Sequence, residues 1–212
     1  MMQKNYILSN DAIIRKTTIA DIPQLREIFA IARQFMANTG NPSQWVDGYP
    51  SDEQLTQDIE SGDSYVVEKN EKVVATFVLR GGVDPTYNII YEGKWLNDKP
   101  YATIHRIAST GEIKGIMHIA MQFALQQYDN IRIDTHRDNM VMQHLIEKEG
   151  FKYCGIIHSL LMVLSVLLFL SFTVLLVFSL ARVFMLTVPC FILLVLFLLR
   201  EVGLNLLLTL TM

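Results

Sequence analysis

The residues from His105 to Gly115, HRIASTGEIKG, hold the densest group of potentially reactive types in this chain. An apolar run, Ala102 to Ala108, gives way to Ser109, Thr110 and Gly111. A lone lysine, Lys114, and Gly115 then precede an apolar helical pattern that starts at Ile116. A strand that enters a helix through small residues leaves the first helical N–H groups without internal partners, and those groups carry partial positive charge. Glycine at such a corner lets a bound group approach the backbone. The corner is therefore a candidate anion site, with the N–H groups from Lys114 to His118 as donors. A plain strand-to-helix turn is the alternative reading. Reactive types elsewhere are sparse. Cys154 and Cys190 are the only cysteines and lie in unlike contexts, so neither a disulfide framework nor a zinc-ligand spacing is present. Cys154 reads as a buried strand residue, and no metal site is expected.

The elements that must position this corner come from the first of two unlike parts of the chain. Residues 1–158 carry charges throughout and read as one soluble domain. The net charge of −3 does not suggest a nucleic-acid partner. The N-terminus, MMQKNYILSNDAIIRK, lacks the apolar core of a signal peptide. Ile13 to Thr17 reads as a first strand. Asp21, with Pro23 just inside, opens an amphipathic helix through Ile22, Leu25, Ile28/Phe29, Ala32 and Phe35/Met36, which Gly40 ends. The segment NPSQWVDGYP is a loop. Ser51 and Gln54 form a capping box for a short helix, Asp52 to Ser61. Tyr65–Glu68 and Val73–Leu79 form a hairpin around KNEK. Residues 81–100 are irregular and rich in aromatic side chains. A strand at 101–108, a helix at 115–127, a strand at 130–135, a helix at 139–149 and a strand at 151–157 follow. The order is α/β, with hairpins early and a βαβ unit late.

This order, with its corner, resembles the GNAT superfamily of N-acetyltransferases over about residues 12–157. IRKTTIADIPQLREIF is similar to the family's opening strand and helix. NIRIDTHRDNMVMQHLIEKEGFKYCG is similar to its fifth strand, fourth helix and sixth strand, and QWVDGYPS to a feature of one bacterial branch. The resemblance implies an acyl-CoA N-acyltransferase fold with a mixed, mostly antiparallel sheet. It also implies acetyl-CoA as cosubstrate and a primary amine, on a small molecule or a peptide, as acceptor. In the family the corner reads Gln/Arg-x-x-Gly-x-Gly/Ala and cradles the cosubstrate's pyrophosphate. The matching positions are Glu112, Lys114, Gly115 and Met117. Lys114 and Gly115 fit, whereas Glu112 and Met117 depart from the pattern. The resemblance further implies that Ile107, Ala108 and Ser109 meet the pantetheine arm by backbone pairing, that Ile116 and His118 flank the phosphates, and that Asn139 contacts the cosubstrate. His118 is equally readable as a surface residue. Many members use a tyrosine seven positions after that asparagine to protonate the departing thiolate; here the position is Ile146. Amine acetylation needs a base, and an ordinary imidazole titrates in the useful range. His105, on the fourth strand of the family fold, is the first candidate and His136 the second, with structural roles open for both. Strict alternation along that strand places His105 and Ile107 on one face and Arg106 on the other. Trp45, Tyr49, Tyr87 and Tyr91 are candidates to wall the acceptor site, with core packing as the alternative.

From Ser159 onward the chain is almost entirely apolar, with Arg182, Arg200 and Glu201 as its only charges. The segments 159–181 and 183–199 read as one or two membrane-spanning helices. The family's seventh strand, which pairs beside the fifth, is not recognisable after His158. Two origins stay open: a membrane anchor with the catalytic domain on the cytoplasmic side, or a shifted reading of a uracil-rich frame, in which case the protein is cytoplasmic. A catalytically silent coenzyme A binder, a membrane-anchored interaction protein and a homodimer are further readings left open.

Overall fold

A computed structural model describes residues 6–9, 11–157 and 207–211. The segments 159–181 and 183–199, read above as membrane spans, lie outside the described residues. Among the described residues no helix is long and apolar enough to cross a membrane.

One sheet organises the molecule. Strand β1 (Tyr6–Ser9) precedes β2 (Ala12–Lys16) and helix α1 (Ile22–Asn38); α2 (Asp52–Glu60) leads to the hairpin β3 (Ser64–Lys69) and β4 (Lys72–Gly81). Then come β5 (Ala102–Ser109), α3 (Ile116–Leu125), β6 (Ile131–His136), α4 (Met140–Lys148), β7 (Lys152–Ile157) and β8 (Leu207–Thr211). The strands lie in the order β1-β2-β3-β4-β5-β6-β8-β7. Every neighbouring pair is antiparallel except β5 and β6, which run parallel across the α3 crossover. The mixed, mostly antiparallel α/β sheet expected from the sequence is therefore present.

Local chemistry accounts for most of these elements. Asn70 and Glu71 both adopt positive φ, 49° and 64°, which suits the two-residue turn that matches hairpin twist. Helix α1 buries Leu25, Ile28, Phe29 and Met36, one stripe at helical spacing. Leu25, Ile28 and Phe29 of that stripe pack with Leu55 of α2 on Val66, Val73 and Ala108, one face of the sheet, whereas Phe35, expected in the stripe, is exposed. Helix α3 buries Met117, Ala120, Met121 and Ala124 against the opposite face, where they join Ile104, Ile131, Ile133 and Ile146 of α4. Ser51 Oγ accepts from Gln54 N at 3.3 Å and caps α2. Only this half of the expected capping box forms; the Gln54 side chain turns along the helix and donates to Asp58 at 3.2 Å.

Two strands differ from the sequence reading. Strand β1 adds an edge before Ile13. Strand β8 fills the seat beside β6: Thr209 stands opposite Asp134 on one side and Gly155 on the other. The seventh strand, not recognisable after His158 in the sequence, is supplied by Leu207–Thr211, far along the apolar tail. The 81–100 connection crosses back over β7, where Tyr91 and Ile156 exchange backbone hydrogen bonds of 2.7 and 2.8 Å. Gly93 permits this approach, since a Cβ there would stand 1.9 Å from the Cys154 carbonyl oxygen.

Candidate active site

The parallel ladder between β5 and β6 is short. It pairs Ala102 with Ile131, Thr103 with Arg132 and Ile104 with Ile133, and it ends there. Beyond it the strands part, so the far half of β5 offers backbone N–H and C=O groups to a third strand-like partner. On its other side β5 carries a bulge opposite Phe77, between the pairs Val78–His105 and Thr76–Ala108. Arg106, at the bulge, has φ 49°. The bulge overturns the alternation expected from the sequence. Ile104 and Ile107, three residues apart, both pack on the α3 side of the core, whereas Arg106 reaches Asp58 of α2 on the other side. His105 and Ile107 therefore do not share a face, because an inserted residue resets which way each later side chain points. Ala108 lies in the α1 core and Ser109 continues to the corner.

The corner is built from side chains that serve the backbone. Ser109 Oγ accepts from Gly111 N at 3.0 Å, and Thr110 Oγ1 accepts from Glu112 N at 3.3 Å. Gly115 has φ 71°, a conformation that other residues adopt at a cost, and an added Cβ would meet nothing within 4 Å. The first helical bond runs from Ile119 N to Gly115 O at 3.0 Å, so the N–H groups of Ile116, Met117 and His118 have no helical partner. Lys114 is exposed and makes no ion pair or hydrogen bond among the described residues. Glu112 is drawn away by Lys72, which donates to it at 2.7 Å. Met117 points into the core instead of toward the corner. His118 is exposed and pairs with Glu149 at 2.9 Å.

Where β5 and β6 part, His105 stands between two carboxylates. Its Nε2 lies 3.1 Å from Asp84 Oδ2 and its Nδ1 lies 3.6 Å from Asp134 Oδ1. Tyr87 donates its hydroxyl to Asp134 at 2.5 Å and meets the imidazole edge-on. Asp84 also accepts from Thr86 N and Thr86 Oγ1. Burial opposes the Asp84 charge, but the hydrogen bonds from His105 and Thr86 outweigh it and hold the carboxyl well below its ordinary range. Burial, and then the neighbouring Asp134 carboxylate, push the Tyr87 phenol well above its ordinary range, so it stays a donor. The His105, Asp84 and Asp134 side chains retain 17%, 13% and 17% of their exposure, enough to be reached from solvent. A neutral imidazole fixed by a carboxylate can take a proton and keep the resulting charge. Among the described residues no cluster could hold a metal ion.

No family model and no curated protein matches the sequence. Solved structures do. An acetyltransferase of the GNAT family from Streptococcus agalactiae 2603 is 32% identical over 73% of this chain and 91% of its own, with a TM-score of 0.62. The chain belongs to the GNAT family of acetyltransferases. A second GNAT acetyltransferase, from Listeria monocytogenes 4b F2365, shares the fold at 17% identity, with a TM-score of 0.56 over 72% of this chain and 93% of its own.

As a GNAT acyltransferase the chain departs from the family pattern in ways the structure makes concrete. Ile146, at the usual tyrosine position, is wholly buried in the α3 side of the core. Asn139 caps α4 through its Oδ1, which accepts from Met142 N at 3.1 Å, and donates its amide to Gln44 at 2.8 Å. His136 is buried at the end of β6, where its Nδ1 accepts from Asp138 N. It lies with Asn139 and not in the His105 group. The four aromatic candidates divide. Trp45 and Tyr49 pack together, and Tyr49 accepts from Arg106. Tyr87 belongs to the His105 group and is core at the same time, stacked between Trp95 and Tyr101. Tyr91 is exposed at the β7 edge. Asp84 and Asp134 were missed by the sequence reading. Asp134 had a signal, since it lies on the polar face of the alternating IRIDTH strand; Asp84, in an irregular segment, had none.

Proposed function

We propose that this chain transfers the acetyl group of acetyl-CoA to a primary amine, with His105 as the base that frees the amine's lone pair. The observation that carries this reading is the parting of β5 and β6 directly beside His105. Acetyl-CoA supplies the activated thioester. The residues present suit it: the far half of β5 offers backbone groups for an amide-bearing arm, and the corner offers three free helical N–H groups, Lys114 and open space at Gly115. His105 takes the proton from the ammonium, and Asp84 steadies the imidazolium. Two carboxylates beside His105 also favour a cationic acceptor over an anionic one. With Ile146 in the tyrosine position, the departing thiolate takes its proton from water or from the protonated imidazole. That same substitution favours a second reading, a silent coenzyme A binder. A panel of small amines and N-terminal peptides, with free thiol as the readout, separates the two. Turnover with any acceptor supports transfer, whereas acetyl-CoA binding without turnover across the panel favours the binder. We also propose, on the apolar composition of 159–199, that the chain is held at a membrane with its catalytic domain on the cytoplasmic side. Full-length protein that stays in the supernatant after detergent-free ultracentrifugation would contradict this.

A further inference from the structure

We propose that Arg106 is a positioning residue whose ion pair with Asp58 pins the β5 bulge and thereby sets the affinity for acetyl-CoA. This rests on the cosubstrate reading above. The backbone of Arg106 lies at φ 49°, where a residue with a Cβ is disfavoured. Neither glycine nor asparagine stands there to make the bulge locally easy, so tertiary contacts must hold it. The contacts are specific. Arg106 Nη2 donates to Asp58 Oδ1 at 2.7 Å, and Nη1 donates to Tyr49 Oη at 3.0 Å. Asp58 is itself fixed, since it is buried and the same oxygen accepts from Arg80 Nη2 at 3.0 Å and Gln54 Nε2 at 3.2 Å. Burial opposes the Arg106 charge, and Tyr49 and Asp58 outweigh it.

Two features separate a positioning role from plain stabilisation. Arg106 Nε and Asp58 Oδ2 are buried without hydrogen-bond partners. A buried ion pair with such leftovers is a poor source of stability, and an apolar pair of the same volume would serve a core as well. The bulge, in contrast, decides which way the rest of β5 faces. Without the extra residue, pairing with β4 would slip by one and Ile107, Ala108 and Ser109 would each turn to the other face. The backbone groups that face the gap, and the start of the 109–115 corner, would move with them. Tyr49 also packs on Trp45, so the clamp ties the 41–51 loop to the same strand.

The test measures acetyl-CoA binding by calorimetry and thermal stability on the full chain, and needs no knowledge of the acceptor. Asp58→Asn and Arg106→Lys should each weaken binding about tenfold or more, and Tyr49→Phe, which removes one hydrogen bond, about threefold. Arg106→Gly guards against a variant that fails to fold: glycine accepts the backbone angle, so the protein should fold while binding weakens. Ile14→Ala is the control, because it opens a cavity in the core at β2, away from α2 and the clamp. It should lower the melting temperature and leave affinity within about twofold. Wild-type affinity in Arg106→Lys and Arg106→Gly would overturn the proposal, as would an equal loss in Ile14→Ala. If wild type itself fails to bind acetyl-CoA, the cosubstrate reading falls and takes this one with it; if wild type binds and the clamp variants bind equally, only the clamp falls.

Discussion

Replacement of His105 by glutamine tests the proposed chemistry most directly. Glutamine is of similar reach and its amide still donates a hydrogen bond, so the 3.1 Å contact with Asp84 has a substitute. It cannot take a proton. The side chain keeps 17% of its exposure and has no place in the two large apolar clusters of the sheet, so little packing is lost. The net change in stability should be about 1 kcal/mol, the scale of one exchanged hydrogen bond. Loss of a general base costs roughly 10²–10⁴-fold in rate, or about 3–5 kcal/mol of transition-state stabilisation. The two effects differ enough to be told apart. The assay is kcat/KM against pH for both proteins, with the most responsive amine and free-thiol detection, beside a melting curve for each. Wild type should lose rate toward acid as the base becomes protonated, and the variant should be slow without that limb. Acetyl-CoA affinity should be unchanged, because the corner lies elsewhere. A folded variant that retains both its rate and its acidic limb would refute the reasoning, and the base would then have to be His136 or a water chain.

Gly115→Asp should abolish acetyl-CoA binding, through a strained backbone and a negative charge at the corner, whereas Gly115→Ala, which meets no atom within 4 Å, should cost about 1 kcal/mol of stability and less affinity; equal calorimetric titrations for wild type and the aspartate variant would remove the corner from the site. The Asp84 carboxyl titrates below its unfolded value, so its stabilisation is fully present above about pH 4 and is lost as pH falls further. The gap in melting temperature between wild type and Asp84→Asn should accordingly be widest near neutrality and close in acid, and a gap that widens in acid would contradict the assignment. Thr209→Pro should destabilise the fold by about 3 kcal/mol, since proline removes a ladder donor from a strand paired on both sides; an unchanged denaturant midpoint would mean that β8 does not occupy that seat.

How much could be read in advance differs from element to element. The α1 stripe, the turn at Asn70 and Glu71, the strand-to-helix corner and the alternation of IRIDTH were all legible, because each depends on contacts within a few residues. Those local signals, in their order, sufficed for the fold class and for the strand-to-helix corner that carries Lys114 and Gly115. The bulge at Arg106 was not legible. No local residue calls for it, and Arg106 is bound to Asp58 from a helix far earlier in the chain, so His105 and Ile107, expected on one face, part. The carboxylate partners of His105 were hidden for the same reason. Asp84 arrives on an irregular segment whose path is fixed by the backbone contact between Tyr91 and Ile156, and Asp134 by a strand that parts from β5 after three pairs. Sequence patterns report which face a residue takes within its own element. Only the packed chain decides which elements meet, and here that meeting makes an isolated histidine part of a charged site.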